Sequence, residues 1–320
     1  MPPNRNRRIA QLVAGLLAVQ LLLVAAFVLP AHQPEPHGVP LGVAGPSGVT
    51  APVERALAAR GNAFAVHRYA GAGQARAAIE RRELYGAVVP AERRMLVSSA
   101  ASPVVAQLLT AGPGQGLQVA DVVPIAEADP RGATLNLAFL PLIVLCLPLV
   151  ALLGRMGLRP AQTLAALAAF AALSGLLVIA LIGGALDALP GSYLALSAVA
   201  ALIVLAVALP TAGCMRLLGP PGIGIGALLF LVIGNPGSGN ASAPELLPGF
   251  WRVTGQFLPP GSGGQALRNV AYFDGHALAQ PLLVLGAWAV LGAALLFVAR
   301  RREPPAAAAA EPVSPIAIAA

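Results

Sequence analysis

The sequence predicts an α-helical polytopic membrane protein with six transmembrane helices, both termini on the cytoplasmic side, and a small α/β extracytoplasmic domain between helices 1 and 2. Hydrophobic residues make up 57% of the 320-residue chain, and charged residues only 10%. So few charged side chains cannot cover a soluble protein of this length. Six long apolar runs divide the chain, and arginines cluster in the short segments between them, as topology determinants do.

The charged residues also exclude several classes of function. All 20 basic residues are arginine, and they are dispersed rather than gathered along one stripe, so we expect no nucleic-acid partner. Without lysine the chain cannot form a GxxxxGK[ST] phosphate loop. None of the 13 carboxylates lies in the middle of an apolar run, which argues against an ion-coupled carrier. No GxSxG or HExxH motif and no Cys/His cluster occurs, so we predict no enzymatic activity, metal or cofactor.

Residues 1–30 are interpreted as a cytoplasmic N terminus and transmembrane helix 1. The apolar run 9–29 follows Arg5, Arg7 and Arg8 and would extend about 30 Å as a helix, enough to cross one hydrocarbon core. A signal peptide is the alternative, because a basic segment precedes the run. We favour an uncleaved anchor, since the run exceeds a signal h-region of roughly 7–15 residues and no A-x-A site follows.

Residues 31–131 are predicted to form the extracytoplasmic α/β domain, with about a hundred residues and a core of its own. Ser102-Pro103 is typical of a helix start, with an N-cap residue before proline at the first helical position. The pairs Arg81-Arg82 and Arg93-Arg94 are interpreted as solvated surface, with contacts to lipid phosphates as the alternative. The predicted strands are 39–44, 64–69, 85–89, 95–99 and 117–125, and the predicted helices are 50–60, 74–83 and 103–110.

Residues 132–234 hold four apolar runs that we predict as transmembrane helices 2–5, namely 135–153, 161–183, 192–209 and 217–234. Pro220-Pro221 and Asn235-Pro236 limit the fifth run and leave it short for a crossing. Gly222 and Gly226 have GxxxG spacing, which fits a dimer contact and tight packing inside one subunit equally well. Residues 281–302 contain helix 6, and residues 303–320 are predicted to be a disordered cytoplasmic tail.

Six spans place both termini on one side of the membrane, and the arginines assign that side. With the N terminus inside, Arg155, Arg159 and Arg216 lie in short cytoplasmic loops and Arg300 to Arg302 end helix 6, whereas the loop between helices 3 and 4 has no arginine. This asymmetry indicates N-in, C-in topology. We therefore expect a multi-pass protein of the cell (plasma) membrane that contacts the lipid bilayer.

Residues 235–280 are predicted to form an external re-entrant hairpin. The aromatic residues Phe250, Trp251 and Phe257 around Arg252 are typical of the membrane–water boundary. Pro259-Pro260-Gly261 is interpreted as a turn before a second short helix at 265–273. The residues that we assign to a re-entrant translocation site are Asn235, Pro236, Pro248, Trp251, Pro259, Arg268 and Tyr272.

In these segments the sequence resembles the type-2 ABC transporter permeases, in the branch of the phage-infection-protein-like membrane proteins. In the domain, Tyr85-Gly86-Ala87 followed by Pro90 is similar to the external domain of that family. In the hairpin, the resemblance rests on Asn235-Pro236 with Ser238-Gly239, on Pro244-Glu245-Leu246-Leu247-Pro248, and on Leu258-Pro259-Pro260-Gly261 before Ala266-Leu267-Arg268 and Tyr272-Phe273.

The resemblance implies a permease subunit that forms a homodimer or pairs with another permease, and that exports a lipid, envelope component or drug. ATP would be hydrolysed by a separate ABC ATPase subunit. The chain departs from the family pattern in its short cytoplasmic segments, residues 1–8 and 154–160. This departure motivates an alternative function, a non-transporting membrane receptor or secretion-accessory protein whose external domain binds a partner.

Overall fold

The computed structural model describes residues 5–32 and 35–298, and most of these residues are helical. Five helical segments in this part of the chain are long and apolar enough to cross a membrane, as expected for a multi-pass membrane protein. They correspond to predicted helices 1, 2, 3, 4 and 6, and the predicted tail at 303–320 lies outside the described residues. The five segments are Asn6–Leu29, Ala133–Arg155, Pro160–Ala185, Tyr193–Leu218 and Ala279–Val298.

The helices and strands follow one another along the chain with short connections. The α-helices are α1 (Arg5–His32), α2 (Ser47–Ala58), α3 (Ala72–Glu80), α4 (Pro103–Ala111), α5 (Ala133–Val144), α6 (Cys146–Arg155), α7 (Pro160–Ile179), α8 (Tyr193–Leu218), α9 (Pro221–Gly226), α10 (Asn235–Gly237), α11 (Gly249–Thr254), α12 (Pro259–Tyr272) and α13 (Ala279–Val298). π-Helical turns at Ala180–Ala185 and Ala227–Gly234 extend α7 and α9. The strands are β1 (Val39–Ala44), β2 (Phe64–Tyr69), β3 (Gly86–Val89), β4 (Arg94–Val97) and β5 (Gln118–Asp121).

Helix α8 is the centre of the helical bundle. About two thirds of its most apolar window is buried, and it packs against α6, α7, α12 and α13. Small residues let these helices approach closely. A Cβ atom on Gly175 of α7 would lie 2.4 Å from the Ser197 carbonyl oxygen of α8, and one on Gly292 of α13 would lie 2.2 Å from the Pro210 nitrogen. By contrast, only 6% of the apolar window of α1 is buried, so almost all of this helix lies outside the packed core of the chain.

The fifth apolar run folds as one shorter helical segment, Pro221–Gly237, formed by α9, a π-helix and α10. Its glycines decide between the two interpretations of the GxxxG spacing. A Cβ atom on Gly222 would lie 2.3 Å from the Cys214 backbone, and one on Gly226 would lie 2.4 Å from Oγ1 of Thr211. Both neighbours belong to α8 of the same chain, so this spacing serves packing inside one subunit.

The residues between α1 and α5 form a five-stranded sheet with the order β2-β1-β3-β4-β5. Strand β1 is parallel to β2 and β3, β3 is antiparallel to β4, and β4 is parallel to β5. The five strands predicted from the sequence are confirmed, β1 and β2 with the predicted bounds. Strand β3 begins one residue later than predicted, β4 begins one residue earlier and ends two earlier, and β5 is five residues shorter. The Ser102 hydroxyl caps α4 by accepting a hydrogen bond from the Val105 backbone N–H, as its position before Pro103 predicts.

This sheet domain and the segment between Ala243 and Phe273 share one apolar core. Ala243, Leu246 and Phe273 belong to the same buried cluster as Tyr85 and Val105 of the domain. The predicted hairpin is therefore covered by the domain on one side and by the helical bundle on the other. This arrangement positions the polar groups described next.

Candidate functional site

Helix α12 is a glycine-rich polar helix buried between the bundle and the domain. Ten of its 14 residues are buried, including Ser262, Arg268 and Asn269. The sequence interpretation of Pro259-Pro260-Gly261 as a turn is wrong, because both prolines lie in the first turn of α12. A proline at that place loses no intrahelical hydrogen bond, so the pair begins the helix instead of preceding it.

Glycines of α12 allow its backbone to approach neighbouring segments. A Cβ atom on Gly264 would lie 1.8 Å from Oδ1 of Asn240, and one on Gly263 would lie 2.8 Å from the Phe139 ring of α5. Asn240 in turn donates from Nδ2 to the Pro260 carbonyl oxygen at 3.1 Å. The turn around Asn240 and the start of α12 are thus fixed against each other by hydrogen bonds as well as by packing.

Arg268 lies in this buried layer with 5% of its surface exposed. Its Nη2 donates to the Asn240 carbonyl oxygen at 3.3 Å, and it forms no salt bridge with any carboxylate that the structure describes. Burial first, and then the nearby charge of Arg82, lower the pKa of Arg268 to about 10. The guanidinium group therefore stays charged at neutral pH.

Arg82 reaches the same region from the external domain. Its backbone is left-handed, with φ at 65°, and its guanidinium carbon lies 5.0 Å from the Tyr85 ring centroid and 5.1 Å from that of Phe273. Its Nη2 lies 3.3 Å from both the Ala101 carbonyl oxygen and Oε1 of Gln265 on α12. Arg82 thus joins the domain to α12 through hydrogen bonds and cation–π contacts.

Two more polar contacts hold the domain side of the chain to the hairpin. The Tyr85 hydroxyl donates to Oε2 of Glu245 at 2.7 Å, and burial raises the pKa of Tyr85, so this hydroxyl stays protonated at physiological pH. Arg252 of α11 donates from Nη1 to the His37 carbonyl oxygen at 2.7 Å. These contacts join residues more than 150 positions apart in sequence.

Two cavities adjoin this network, and residues of the hairpin line both of them. We call the first, with a volume of about 340 Å³, the domain–hairpin cavity, and the second, of about 450 Å³, the α1-side cavity. Polar lining of the domain–hairpin cavity comes from Arg82, Glu83, Tyr85, Glu245, Arg252, Gln256, Gln265, Asn269 and Gln280. The α1-side cavity is lined by Phe27, Val104, Asn136, Asn235, Pro236, Ser238, Gly239, Asn240, Ala241, Ser242, Leu246 and Leu247.

The structure brings some of the residues assigned to a translocation site together and leaves others apart. Asn235 and Pro236 line the α1-side cavity, while Pro259 begins α12 and Arg268 is buried and lines neither cavity. Pro248, Trp251 and Tyr272 line neither cavity. Pro248 precedes α11, and Trp251 packs against Gly237 and Phe250. The Tyr272 hydroxyl donates a hydrogen bond to the Ala188 carbonyl oxygen at 3.4 Å.

Arg82, Glu245 and Asn240 are polar residues of this region that the sequence analysis did not assign to the site. The interpretation of Arg81-Arg82 as solvated surface is correct for Arg81, which is exposed and paired with Glu83. It is wrong for Arg82, which lies partly buried over two aromatic rings. No local pattern distinguishes these adjacent arginines, because the difference arises from packing against α12.

The site has no recognisable metal chemistry within residues 5–32 and 35–298, where no group of three or more His, Cys, Asp and Glu side chains is arranged to hold an ion. Its functional groups are guanidinium, amide and hydroxyl donors, which suit the binding of anions and polar groups. Comparisons of the chain with protein-family models, with curated proteins and with solved structures gave no match.

Proposed function

We propose that the chain is the permease subunit of an exporter and moves an amphipathic molecule, such as a lipid, an envelope component or a drug, out of the cytoplasm. The observation that carries this proposal is the buried polar helix α12, which lies between the apolar bundle and the sheet domain and lines the domain–hairpin cavity with Gln265 and Asn269. Polar groups and irregular backbone at membrane depth are costly, and they are retained where they line a cavity or a substrate path.

The contacts of the fifth apolar segment support six crossings. Gly222 at its start packs on Cys214, close to Arg216, whereas Gly234 at its end packs on Pro260 of α12. The segment thus runs from one end of the bundle to the other. A rise of 1.5 Å per residue gives the segment a length of roughly 25 Å, which is less than the thickness of an average hydrocarbon core. The re-entrant hairpin that follows covers the remaining thickness.

The distribution of loops supports the proposed orientation. Arg155, Arg216 and Gly219 line one cavity of about 360 Å³, so these loops lie at one end of the bundle. Gly191 and Tyr272 mark the opposite end, where Gly191 approaches Ala271 of α12. Placing the arginine-rich end in the cytoplasm gives N-in, C-in topology and puts the sheet domain outside.

Packing of the sheet domain favours the permease over a receptor whose external domain acts alone. Because Phe273, Leu246 and Tyr85 share one core, any movement of the hairpin must move the domain or break that core. A domain that only captured a partner would need no such contact with the membrane part. In the proposed complex a second permease copy completes the transporter, and ATP is hydrolysed by another subunit.

Copurification tests the ATPase partner directly. Full-length tagged protein, extracted from its native membrane in a mild non-ionic detergent, is expected to bring down an ABC ATPase with an intact phosphate loop. We expect the exposed cytoplasmic variant Arg155→Gln to lower the recovered ATPase several-fold, because a loop arginine at the docking end contacts the partner. Mass spectrometry of the eluate, normalised to the bait, measures this.

The matched control is Arg76→Gln, which removes an exposed arginine from α3 of the external domain and should leave ATPase recovery unchanged. Recovery of external partners and no ATPase from the wild-type protein, in a sample that stays monodisperse, would contradict the permease and support the receptor function. Equal loss of ATPase with both variants would contradict docking at the Arg155 end.

A further inference from the structure

The domain–hairpin cavity has three arginines at or behind its wall against two lining glutamates, Glu83 and Glu245. Arg82 and Arg252 line it, and Arg268 lies behind its wall in α12. None of these three arginines forms a salt bridge with a carboxylate that the structure describes. Only Arg268 is buried, whereas Arg82 and Arg252 are partly exposed. A buried positive charge without a counter-ion is costly, so this arrangement favours an anion close to the three arginines.

Neither carboxylate at the cavity forms a salt bridge with these arginines. Glu83 is held by Arg81, whose Nε lies 2.7 Å from Oε1 and whose Nη2 lies 3.3 Å from Oε2. This hydrogen bond from Arg81 lowers the pKa of Glu83. Glu245 accepts the Tyr85 hydroxyl at 2.7 Å through Oε2. Glu83 is thus paired with Arg81, and Glu245 alone opposes the charges of Arg82, Arg252 and Arg268.

Each arginine at the cavity also has unused hydrogen-bond donors. A guanidinium group has five N–H donors. Arg252 uses Nη1 for the His37 carbonyl oxygen, and Arg82 uses Nη2 for Ala101 and Gln265. The Nε of Arg82 is buried without a partner. Planar arginine forks bind the oxygens of phosphate and carboxylate groups in pairs, which neutral ligands cannot reproduce.

The position of the cavity selects the kind of anion. Gln280 and Pro281 on its wall belong to the first turn of α13, where the last apolar helix begins. On its other side, α11 turns Phe250 and Val253 outward, with 63% and 56% of their surfaces exposed. Apolar side chains beside arginine at the end of a span lie at the level of lipid headgroups.

We propose that the domain–hairpin cavity binds the phosphate group of a lipid, with Arg82 and Arg252 as the charged ligands and the amides of Gln265 and Asn269 as further polar contacts. A volume of about 340 Å³ accommodates a headgroup rather than a whole lipid, so the acyl chains extend past α11 into the bilayer. As a cargo site the cavity rests on the proposed export function, whereas binding itself requires no transport.

The test is a binding measurement with the full chain in a maltoside detergent. The probes are dioctanoyl phosphatidic acid, dioctanoylglycerol, which has the same chains without phosphate, and inorganic phosphate. Isothermal titration calorimetry is expected to show saturable binding of the phosphatidic acid, and at least tenfold weaker binding of the other two. Arg82→Gln and Arg252→Gln should each weaken phosphatidic acid binding about tenfold, as expected for loss of a charge-assisted hydrogen-bond pair.

The variants also need a folding control, because Arg82 packs on Tyr85 and Phe273. If Arg82→Gln lowers the thermal midpoint, the test relies on Arg252→Gln, which lies in the short helix α11. Arg76→Gln, on the exposed face of α3, should bind like the wild type. Inorganic phosphate that binds as tightly as the lipid would assign the site to free phosphate and overturn a lipid ligand.

Equal affinity for dioctanoylglycerol, or unchanged binding in folded Arg252→Gln, would overturn phosphate recognition by the cavity. The permease proposal fails separately, through the absence of a copurified ATPase. If the protein binds phosphatidic acid but no ATPase copurifies with it, the lipid site is supported and the export function is contradicted.

Discussion

The buried side chain of Arg268 affects stability in two ways, through the space that it fills and through its positive charge. Its guanidinium group is 5% exposed and hydrogen-bonded to one backbone oxygen, that of Asn240. The nearby Arg82 charge adds repulsion, since it contributes to lowering the pKa of Arg268. A pair of substitutions can separate the effect of this charge on stability from the effect of the side-chain volume.

We expect Arg268→Met to keep the thermal midpoint within a few degrees of the wild type, because methionine fills the space and removes a desolvated charge. Arg268→Ala should lower the midpoint further, since a truncated core side chain leaves a cavity that costs about 2–4 kcal/mol. Thermal unfolding of both proteins in the same detergent measures the difference. A methionine variant as unstable as the alanine variant would show that the charge itself stabilises the fold.

Residues of the site were predictable only where local sequence pattern marks them. Arg268 follows a proline-glycine segment and carries the only charge of its helix, which the sequence shows. Arg82 stands beside Arg81 in an identical local setting, yet it packs over Phe273, 191 positions later, and contacts Gln265. No periodicity connects such distant residues, so their proximity could not be derived from the chain alone.

At the scale of elements, the fifth apolar segment depends on two glycines that face α8. Gly222 and Gly226 lie against Cys214 and Thr211, whereas Gly224 between them has no neighbouring atom within 4 Å of a Cβ position. The same helix therefore offers a test and its control. GxxxG spacing in the sequence identified the positions, and only packing identified the partner helix.

We expect Gly222→Ala to destabilise the protein by about 1–3 kcal/mol, because the added methyl group meets α8 backbone that cannot move aside. Gly224→Ala should be neutral or slightly stabilising, since alanine has the higher helix propensity and the position is open. Reversible unfolding in mixed micelles compares the two variants. Similar losses at both positions would contradict packing of this face on α8 and would favour a second chain as its partner.

The start of helix α12 was predicted wrongly from the segment Pro259-Pro260-Gly261. Two prolines and a glycine are typical of a turn, but prolines are equally suited to a helical first turn. The helix gains six residues at its start relative to the predicted 265–273. Burial of Gly263 and Gly264 against Phe139 and Asn240 provides the reason, because packing stabilises a glycine-rich turn that has little helix propensity of its own.

At the scale of the whole molecule, the number of crossings depends on the fifth segment. In a cysteine-free background, Cys146→Ala with Cys214→Ala, single cysteines can be introduced on either side of the fifth segment for labelling. We expect Leu218→Cys to label with a membrane-impermeant maleimide from the cytoplasmic side and Ala241→Cys from the outside, since the segment between them runs the length of the bundle. Intact cells and inverted vesicles provide the two sides.

Two further positions serve as references for this experiment. Met156→Cys should label like Leu218→Cys, and Gln118→Cys in β5 should label like Ala241→Cys, because all four positions are exposed. Labelling of Leu218→Cys and Ala241→Cys from the same side would establish five crossings and would contradict N-in, C-in topology.

The sequence by itself determined the membrane class, five apolar helices and the five strands of the sheet domain, because hydropathy and residue alternation are local properties of neighbouring residues. Only the tertiary structure decided that α12 is buried and that the fifth segment packs on α8. It also decided that Arg82, Arg252 and Arg268 come together without a salt bridge to any carboxylate in the described part of the chain. Those features arise from contacts between segments far apart in the chain. A local pattern of hydropathy indicates which residues are buried. The contacts between buried polar groups depend instead on how the helices and the sheet domain pack together.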